Sequence, residues 1–432
     1  MHETQESTRR SFITTAGMAT AGVIGTGVAS HAVKNVQEPK VIGANDRLRI
    51  GVIGVGGMGM AHVRSLVGQT KRGDENMEIT AVCDVYDLRT TDAQAYVEKE
   101  LNTKVKAHKD YRAILDDKDL DAVLIATPEH WHGKMAIDAI EAGKHTYLEK
   151  PMTREWNWAQ KVYKSVKANP KIAFQVGVQF TTDEKWKRVN DIIKSGKLGH
   201  PVWSQSSYCR NSKEGEWNYP IDNRAKPGEN LDWDMWLGAK YDLAPRREWD
   251  PQRYFRWRKY WDYSSGINSD LFPHRLTPFM LALGAEWPLR VVASGAIYVQ
   301  SDREVPDTWN VLAEFPTTGQ IFISGSTINE TGLPDMIRCN KGNIEFSGGQ
   351  IRVTPQRPYA DEVEETNEKV GGTGENITLH ERNWQKCIRT GETPNCNVEL
   401  ATKAISVCHF AEMSYKQNKA VRFDSERMRV LR

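Results

Sequence analysis

Two short groups of residues have the types and the spacing that acid–base chemistry requires. Glu149, Lys150 and Pro151 follow an apolar, strand-like run. A lysine at such a strand end can donate a hydrogen bond to a substrate hydroxyl and stabilise a developing alkoxide. Asp270 and His274 stand four residues apart, so both side chains project from one face if a helix begins near Asp270. Together they form a general-base pair, with Asp270 orienting the ring or binding a second hydroxyl. Taken singly, each group also fits a strand-end turn or a helix N-cap without any chemistry.

A glycine-rich turn indicates the element that would bring a cofactor to Lys150. An apolar, β-branched run over 50–53 ends at this turn, and the chain then continues without helix breakers. The turn reads Gly54-Val55-Gly56-Gly57-Met58-Gly59. A dinucleotide pyrophosphate needs this order of strand, GxGxxG turn and helix, since Gly54 permits the tight turn, Gly56 admits the phosphates and Gly59 lets the helix pack. Asp84 closes the next strand-like run, where an acidic residue would bind the adenosine ribose. An ordinary strand–helix turn is the alternative.

The pattern of elements predicts two domains after residue 47. Strand-like and helix-like segments alternate over 48–180, which predicts a doubly wound parallel sheet and a dinucleotide-binding domain. The segment over 181–432 begins with a helical stretch at 183–195. Beyond about residue 201 the chain is β-rich, with turn residues between the runs, and it then returns to helix at about 376–388 and 398–417. We therefore expect a second, α+β domain that binds substrate around a mostly antiparallel sheet. We interpret 355–373, which is acidic and polar, as a surface loop.

Composition excludes several classes of function. The 432 residues carry 58 basic and 56 acidic side chains and no basic block, so we expect no nucleic-acid partner. Six cysteines lie far apart without a CxxC pair, so neither a zinc site nor a disulfide framework is predicted, and no metal is expected. Buried structural thiols are the better interpretation.

The first residues have the layout of an export leader. Arg9 and Arg10 precede Phe12 and an uncharged stretch rich in Ala, Gly and Thr, and small residues follow at 29–32. We expect a twin-arginine leader over 1–32 and a polar linker over 33–47, with a periplasmic mature protein and no further membrane span. A disordered tail and a retained membrane anchor are the alternatives. The twin-arginine route carries folded proteins, so a cofactor taken along must be tightly bound.

An aromatic-rich stretch suggests where a sugar would bind. Seven of the fourteen tryptophans fall between Trp203 and Trp261, interleaved with tyrosines. Flat aromatic faces beside polar donors suit sugar rings, although large aromatics also fill loops that lack regular structure. Arg256, Trp257 and Arg258 are the predicted substrate contacts.

Taken together, these motifs resemble the Gfo/Idh/MocA oxidoreductases over nearly the whole chain after the leader. The matching pieces are Gly54-x-Gly56-x-x-Gly59, Ala126-Thr127-Pro128 with His132, Glu149-Lys150-Pro151, Val176-Gly177-Val178-Gln179, Ser195-Gly196-Lys197-Leu198-Gly199 and Asp270-x-x-x-His274. Each piece is short, but their order and spacing make the set specific. Two positions depart from the family pattern on the substrate side: Phe180-Thr181 stand where many relatives carry an arginine, and Thr277 where many carry an aspartate.

The resemblance implies a Rossmann domain followed by a large open, mostly antiparallel sheet that often mediates homodimers or homotetramers. It implies NAD, with NADP disfavoured by Asp84, and hydride chemistry on a sugar or cyclitol. Lys150 would be the catalytic lysine, His274 the acid/base, Asp270 its partner, and Glu149 would lie near the nicotinamide ribose. The predicted cofactor-binding residues are Gly54, Gly56, Gly57, Met58, Gly59, Asp84, Thr127, Pro128, His132, Glu149, Lys150 and Gln179.

Three functions fit this sequence. The first is an exported, NAD-dependent oxidoreductase that acts on a sugar or polyol hydroxyl. The second is a glycoside hydrolase of the same fold that oxidises its sugar transiently and is redox-neutral overall. The third is a sugar- or nucleotide-sensing module without catalysis, which the presence of Lys150, Asp270 and His274 disfavours.

Overall fold

A computed structural model describes residues 37–39, 43, 46–347 and 349–431 of the chain. The predicted leader over 1–32 and most of the predicted linker over 33–47 lie outside the described residues.

The first sheet has six parallel strands in the order β3-β2-β1-β4-β5-β6. The strands are β1 (Leu48–Ile53), β2 (Met77–Cys83), β3 (Lys106–His108), β4 (Ala122–Ile125), β5 (His145–Glu149) and β6 (Phe174–Gly177). The helices that connect and follow them are α1 (Gly57–Arg72), α2 (Asp87–Leu101), α3 (Arg112–Leu115), α4 (Glu129–Glu141), α5 (Trp156–Ala168) and α6 (Glu184–Lys194). Every residue of β4, β5 and β6 is buried, as a parallel sheet covered on both faces requires. The strand order reverses at β1, and ligands bind outside the carboxyl ends of the strands at such a point.

The second sheet has ten strands in the order β14-β13-β12-β11-β7-β10-β9-β8-β15-β16. The strands are β7 (Pro201–Cys209), β8 (Arg290–Ala296), β9 (Thr308–Glu314), β10 (Gln320–Ser326), β11 (Met336–Cys339), β12 (Gly342–Ser347), β13 (Gln350–Pro355), β14 (Thr366–Lys369), β15 (Val421–Asp424) and β16 (Arg429–Leu431). β7 and β10 pair in parallel, and the other neighbours are antiparallel. Alternate residues of β9 and β10 are buried, so this sheet packs its core on one face.

The part of the chain that the structure describes has five further α-helices: α7 (Trp233–Leu237), α8 (Pro251–Phe255), α9 (Pro273–Leu283), α10 (Ile377–Thr390) and α11 (Val398–Gln417). Although α10 comes late in the chain, it packs on α1 and β5 of the first sheet. α11 packs against both α5 and β8. Late helices therefore hold the parallel sheet and the antiparallel sheet against one another.

The two-sheet architecture confirms the predicted fold class. Two local predictions were wrong. The predicted loop over 355–373 contains the edge strand β14. The helix expected near Asp270 begins at Pro273, after a single π-helical turn over Ile267–Leu271. Proline tolerates the first helical position because its missing N–H has no partner there.

No helix within the described ranges is long and apolar enough to cross a membrane. All six cysteines are described and are free thiols, and five of them are buried.

Candidate active site

A cavity of about 690 Å³ lies at the carboxyl ends of the parallel strands. One wall is the glycine turn together with Asp84, Thr127, Pro128, Glu149 and Lys150. The opposite wall comes from residues 210–263, which we call the aromatic segment. The cavity therefore lies at the point where the topology of the sheet predicts a ligand.

The glycine turn has the geometry of a phosphate cradle. Gly54 has a φ of +84°, and its N–H donates to the carbonyl of Cys83. A Cβ on Gly59 would lie 1.8 Å from the carbonyl oxygen of Gly54, so helix α1 packs on the turn only without a side chain there. Gly56 supplies no side-chain cap and the first turn of α1 has no acidic residue. The free N–H groups and the positive helix end therefore fit the pyrophosphate of a dinucleotide.

The carboxylate of Asp84 holds this turn through hydrogen bonds from backbone N–H groups. Its Oδ2 accepts a hydrogen bond from the Val55 N–H at 3.0 Å, and its Oδ1 accepts one from the Tyr86 N–H at 3.0 Å. Burial raises the pKa of Asp84, and the charge of Arg89 opposes that shift. Asp84 also lines the cavity, so its contact with a ribose stays a prediction.

Two predicted cofactor residues lie behind the cavity wall. The buried ring of His132 contacts the Pro151 carbonyl through Nδ1 at 2.6 Å and the Thr127 carbonyl through Nε2 at 2.8 Å. His132 therefore ties the end of β4 to the end of β5. Gln179, also buried, donates to Oε1 of Glu149 at 3.0 Å. In this structure both side chains position residues that line the cavity.

Lys150 and Arg258 share one carboxylate. Lys150 Nζ lies 2.8 Å from Oδ1 of Asp270, and Arg258 Nε lies 2.9 Å from the same oxygen. Burial alone would raise the pKa of Asp270, but the two cations hold it well below its usual range. Lys150 and Arg258 also line the cavity. A positively charged pair, oriented by one ionised aspartate, thus faces the space beside the glycine turn.

The four-residue spacing predicted that Asp270 would pair with His274, but the structure gives each residue a different partner. Because the helix begins only at Pro273, Asp270 lies in the preceding π-helical turn and is turned towards Lys150. Nδ1 of His274 instead contacts Oε1 of Glu375. Burial and the charge of Lys150 lower the pKa of His274, while Glu375 opposes this shift. His274 is therefore neutral at neutral pH and able to accept a proton.

The predicted substrate residues divide into two groups. Trp257 and Arg258 line the cavity, and the Arg258 guanidinium lies 4.1 Å from the centre of the Trp257 ring. Arg256 is turned elsewhere, since its Nε donates to the Tyr219 carbonyl and its Nη1 to Gln252. Its role here is to hold the aromatic segment together.

The aromatic segment docks on the parallel sheet through its backbone. The Asp87 N–H donates to the Asn230 carbonyl at 2.9 Å, and the Asp232 N–H donates to the Val85 carbonyl at 3.0 Å. Trp131 Nε1 donates to the Trp236 carbonyl at 2.7 Å. The segment therefore covers the cavity beside β2 and α4 as an ordered part of the fold.

Side chains of the same segment enclose the end of the cavity beside Asp84. The Tyr86 hydroxyl donates to Asp222 at 3.0 Å. The Arg89 guanidinium, which lies against Gly56, is 5.2 Å from the ring centre of Tyr254. These contacts must open for a dinucleotide to leave by this end.

Sequence reasoning missed Glu375, His62 and Glu381. No local signal marks them, because Glu375 lies beside an acidic stretch interpreted as surface, and His62 occurs within an ordinary helix. Only the packing of α10 on α1 brings Glu381 to His62. No cluster of three or more His, Cys, Asp or Glu side chains suited to a metal occurs among the described residues.

The fold and the cavity define an α/β oxidoreductase that binds a dinucleotide. The chain belongs to the Gfo/Idh/MocA family: residues 48–178 match the model described as oxidoreductase family, NAD-binding Rossmann fold, and residues 182–432 match its C-terminal alpha/beta domain. The protein is thus an enzyme of this NAD-binding oxidoreductase family, and its cofactor is NAD.

Similar proteins have two kinds of activity in their names. A glycosyl hydrolase family 109 protein of Shewanella baltica is 31% identical over 216 residues, which is 46% of this chain and 45% of that protein. An inositol 2-dehydrogenase of Salmonella paratyphi B is 29% identical over 173 residues, 40% of this chain and 49% of that protein. The chain thus spans about half the length of these curated relatives. Levoglucosan dehydrogenase, solved with NADH, has a TM-score of 0.66 at 18% identity, covering 87% of this chain and 99% of that one, and shows the same fold.

Proposed function

We propose that the protein is an NAD-dependent oxidoreductase that acts on a hydroxyl group of a sugar or polyol. One observation carries the proposal: Lys150, held by Asp270, opens into the same cavity as the glycine turn. A hydroxyl placed beside Lys150 would lie where a bound dinucleotide reaches the end of β5. NAD supplies a hydride acceptor there when it is bound.

The protein side chains supply the proton chemistry. Neutral His274 accepts the hydroxyl proton, with Glu375 fixing its ring through Nδ1. Lys150 places its positive charge against the alkoxide that forms. Asp270 and Arg258 keep the Lys150 ammonium group in one orientation, so the enzyme does not reorganise it during the reaction.

A second candidate is a redox-neutral glycoside hydrolase on the same residues. The docked aromatic segment favours it, because an enclosed NAD that leaves slowly suits a reaction that returns its hydride within each cycle. The similarity to a glycosyl hydrolase family 109 protein also supports it. Export of a folded protein with its cofactor, which we propose from the sequence of residues 1–32, would fit the same scheme.

Two measurements on the purified full-length protein separate the candidates. Its nucleotide content is determined after denaturation, without added cofactor. It is then offered free sugars and polyols with added NAD, and aryl glycosides without it. Formation of NADH with a free polyol would establish the dehydrogenase. Release of the aryl group without net NADH formation would establish the hydrolase. If neither class of substrate reacts, the catalytic proposal is refuted.

A further inference from the structure

A buried cluster of three ionisable groups lies behind the reactive end of the cavity. His62 on α1 lies between two carboxylates: its Nδ1 is 2.7 Å from Oε1 of Glu381, and its Nε2 is 2.9 Å from Oε1 of Glu149. Glu381 comes from α10, and Glu149 from the end of β5. The side chains of His62 and Glu381 are fully buried, and that of Glu149 is 4% exposed. A single buried charge without a partner would be strongly unfavourable at this site. The three groups are therefore best described as one hydrogen-bonded set in which positive and negative charges are paired.

The protonation states give the cluster a net charge. Burial alone would lower the pKa of His62, but its hydrogen bonds to Glu149 and Glu381 raise it to about 9. Burial would raise the pKa of Glu149, yet His62 brings it below the ordinary value. Burial raises the pKa of Glu381 against the opposing effect of His62. Both ring nitrogens of His62 face carboxylate oxygens, and Oε2 of Glu381 accepts hydrogen bonds from Ser65 and Gln69. This is the arrangement of two carboxylates around one imidazolium, which has one net negative charge.

The neighbouring groups do not cancel this charge within the protein core. Edge-on to His62 lies the ring of Tyr147, with 5.2 Å between the ring centres. Burial lowers the pKa of His380, which precedes Glu381 on α10, to about 4, so this ring is neutral. Lys150 lines the cavity beside Glu149, and its charge helps to lower the pKa of Glu149. The negative charge of the cluster therefore reaches the cavity at Glu149, next to the positive charge of Lys150.

Glu149 is the member of the cluster that lines the cavity, immediately before Lys150 in the chain. The oxidised nicotinamide ring carries a positive charge that is lost when it accepts a hydride. A fixed negative charge near this ring consequently stabilises the oxidised cofactor more than the reduced one.

We propose that the Glu149–His62–Glu381 cluster sets the redox preference of the bound cofactor, with Glu381 acting as a remote charge that favours NAD⁺ over NADH. The inference rests on the proposed placement of the nicotinamide beside Lys150 and does not depend on the substrate. Glu381 does not touch the cavity, so it is a positioning residue that acts through His62.

The test uses Glu381→Gln in the full-length protein. Protein is equilibrated with mixtures of NAD⁺ and NADH until the bound ratio is constant, separated from free nucleotide, and the bound ratio is measured. Removal of one carboxylate leaves His62 and Glu149 with no net charge at low pH. We expect the preference for NAD⁺ to fall by roughly three- to thirtyfold near pH 6.

The pH dependence distinguishes this effect from damage to the fold. In the natural protein His62 stays protonated up to about pH 9, so titration of His62 should not change the bound ratio below that pH. With one carboxylate lost, the pKa of His62 falls, and the imidazole loses its proton as the pH rises. The variant should therefore regain its preference for NAD⁺ towards higher pH.

Two further variants complete the test. His62→Gln removes the cation but keeps both carboxylates, so it should leave the preference for NAD⁺ unchanged or raise it, whereas Glu381→Gln should lower it. His380→Gln removes a neutral buried ring from the same helix, and it should leave the ratio unchanged even if it lowers the melting temperature.

Lys150→Met shows whether the nicotinamide lies where the proposed function places it. Loss of this positive charge should raise the preference for NAD⁺. If Lys150→Met changes the ratio and Glu381→Gln does not at any pH, the inference fails while the proposed site stands. If neither changes it, the placement of the cofactor is wrong and both fail.

Discussion

Lys150 Nζ and Oδ1 of Asp270 lie 2.8 Å apart, although 120 positions separate the two residues in the chain. Lys150 Nζ also donates to the backbone carbonyl of Asp270 at 2.9 Å, so two acceptors of one residue hold the ammonium group. Arg258 donates to the same Oδ1 at 2.9 Å. The carboxylate therefore stays ionised, and Lys150 is pre-oriented before any ligand enters.

We predict that Lys150→Met lowers turnover by roughly 10²- to 10⁴-fold, because the charge that stabilises the alkoxide is removed. Binding of NADH, followed by its fluorescence, should change by less than about tenfold, since the glycine turn is intact. Lys161→Met on α5, where the lysine lies over the Trp158 ring, is the matched control. Near-normal turnover in Lys150→Met would remove Lys150 from the mechanism.

We predict that Glu375→Gln moves the acid limb of the pH profile to lower pH. His274 accepts a proton only when neutral, and loss of the Glu375 charge lowers its pKa further. The maximum rate should fall by roughly tenfold, because the ring is no longer oriented through Nδ1. The measurement is kcat/KM against pH, with Glu365→Gln as control, because Glu365 is exposed and paired with Arg352. An acid limb that moves to higher pH would contradict the assigned contact.

We predict that Tyr86→Phe accelerates the release of NADH by roughly three- to tenfold. The substitution removes one hydrogen bond between the parallel sheet and Asp222 of the aromatic segment, which is worth about 1 kcal/mol. Stopped-flow displacement by excess NAD measures the rate. Tyr163→Phe loses a comparable hydrogen bond to Glu399, on α11. Equal effects of the two variants would show that the segment does not retain the cofactor.

We predict that Gly59→Ala destabilises the protein by about 3 kcal/mol or more, since its Cβ would overlap the Gly54 carbonyl oxygen. A Cβ on Gly57 meets nothing within 4 Å. The Gly57→Ala variant should therefore have the same melting temperature as the natural protein. Thermal unfolding of both variants gives the comparison, and equal melting temperatures would mean that the turn differs from the one described.

We predict that Glu129→Gln stabilises the protein increasingly as the pH rises from about 5 to about 7. Burial and the charge of Asp270 raise the pKa of Glu129 from its ordinary 4.5 to about 7. A raised pKa in the folded state stabilises the fold below pH 4.5, and this stabilisation is lost as the pH rises to about 7. Glutamine keeps the neutral form at every pH, so the gain should grow from near zero at about pH 5 to roughly 1–3 kcal/mol at about pH 8. Urea unfolding at the two pH values measures it, and a gain independent of pH would contradict the assignment.

Short-range patterns in the sequence were sufficient to predict the fold class. Alternation of apolar runs with helical periodicity predicted β1, β2, β4 and β5, because a parallel strand buried on both faces needs a continuous apolar run. Short edge strands such as β3 and β14 escaped prediction. Each has only three or four residues, is largely exposed, and is defined by its pairing with a neighbour rather than by composition.

The residues of the candidate active site whose roles depend on local geometry were also predicted. Gly54 and Gly59 are required by backbone geometry within six residues, and Lys150 follows directly from the end of a strand. The partner of His274 was not predictable from its helix, because a π-helical turn precedes the helix and Asp270 lies in that turn, bonded to Lys150. The contact of His274 is Glu375, about a hundred residues further along the chain. A spacing of four residues fixes a shared face only where a regular helix is present.

The sequence by itself determined the class of fold, the dinucleotide turn and the lysine at the strand end, because each depends on interactions between residues close in the chain. Tertiary structure decided which charges meet: Asp270 with Lys150 and Arg258, Glu375 with His274, and Glu381 with His62. Opposite charges attract over any separation along the chain, and burial decides which of them must find a partner. For His62 and Glu381, that burial comes from the packing of the late helix α10 on α1.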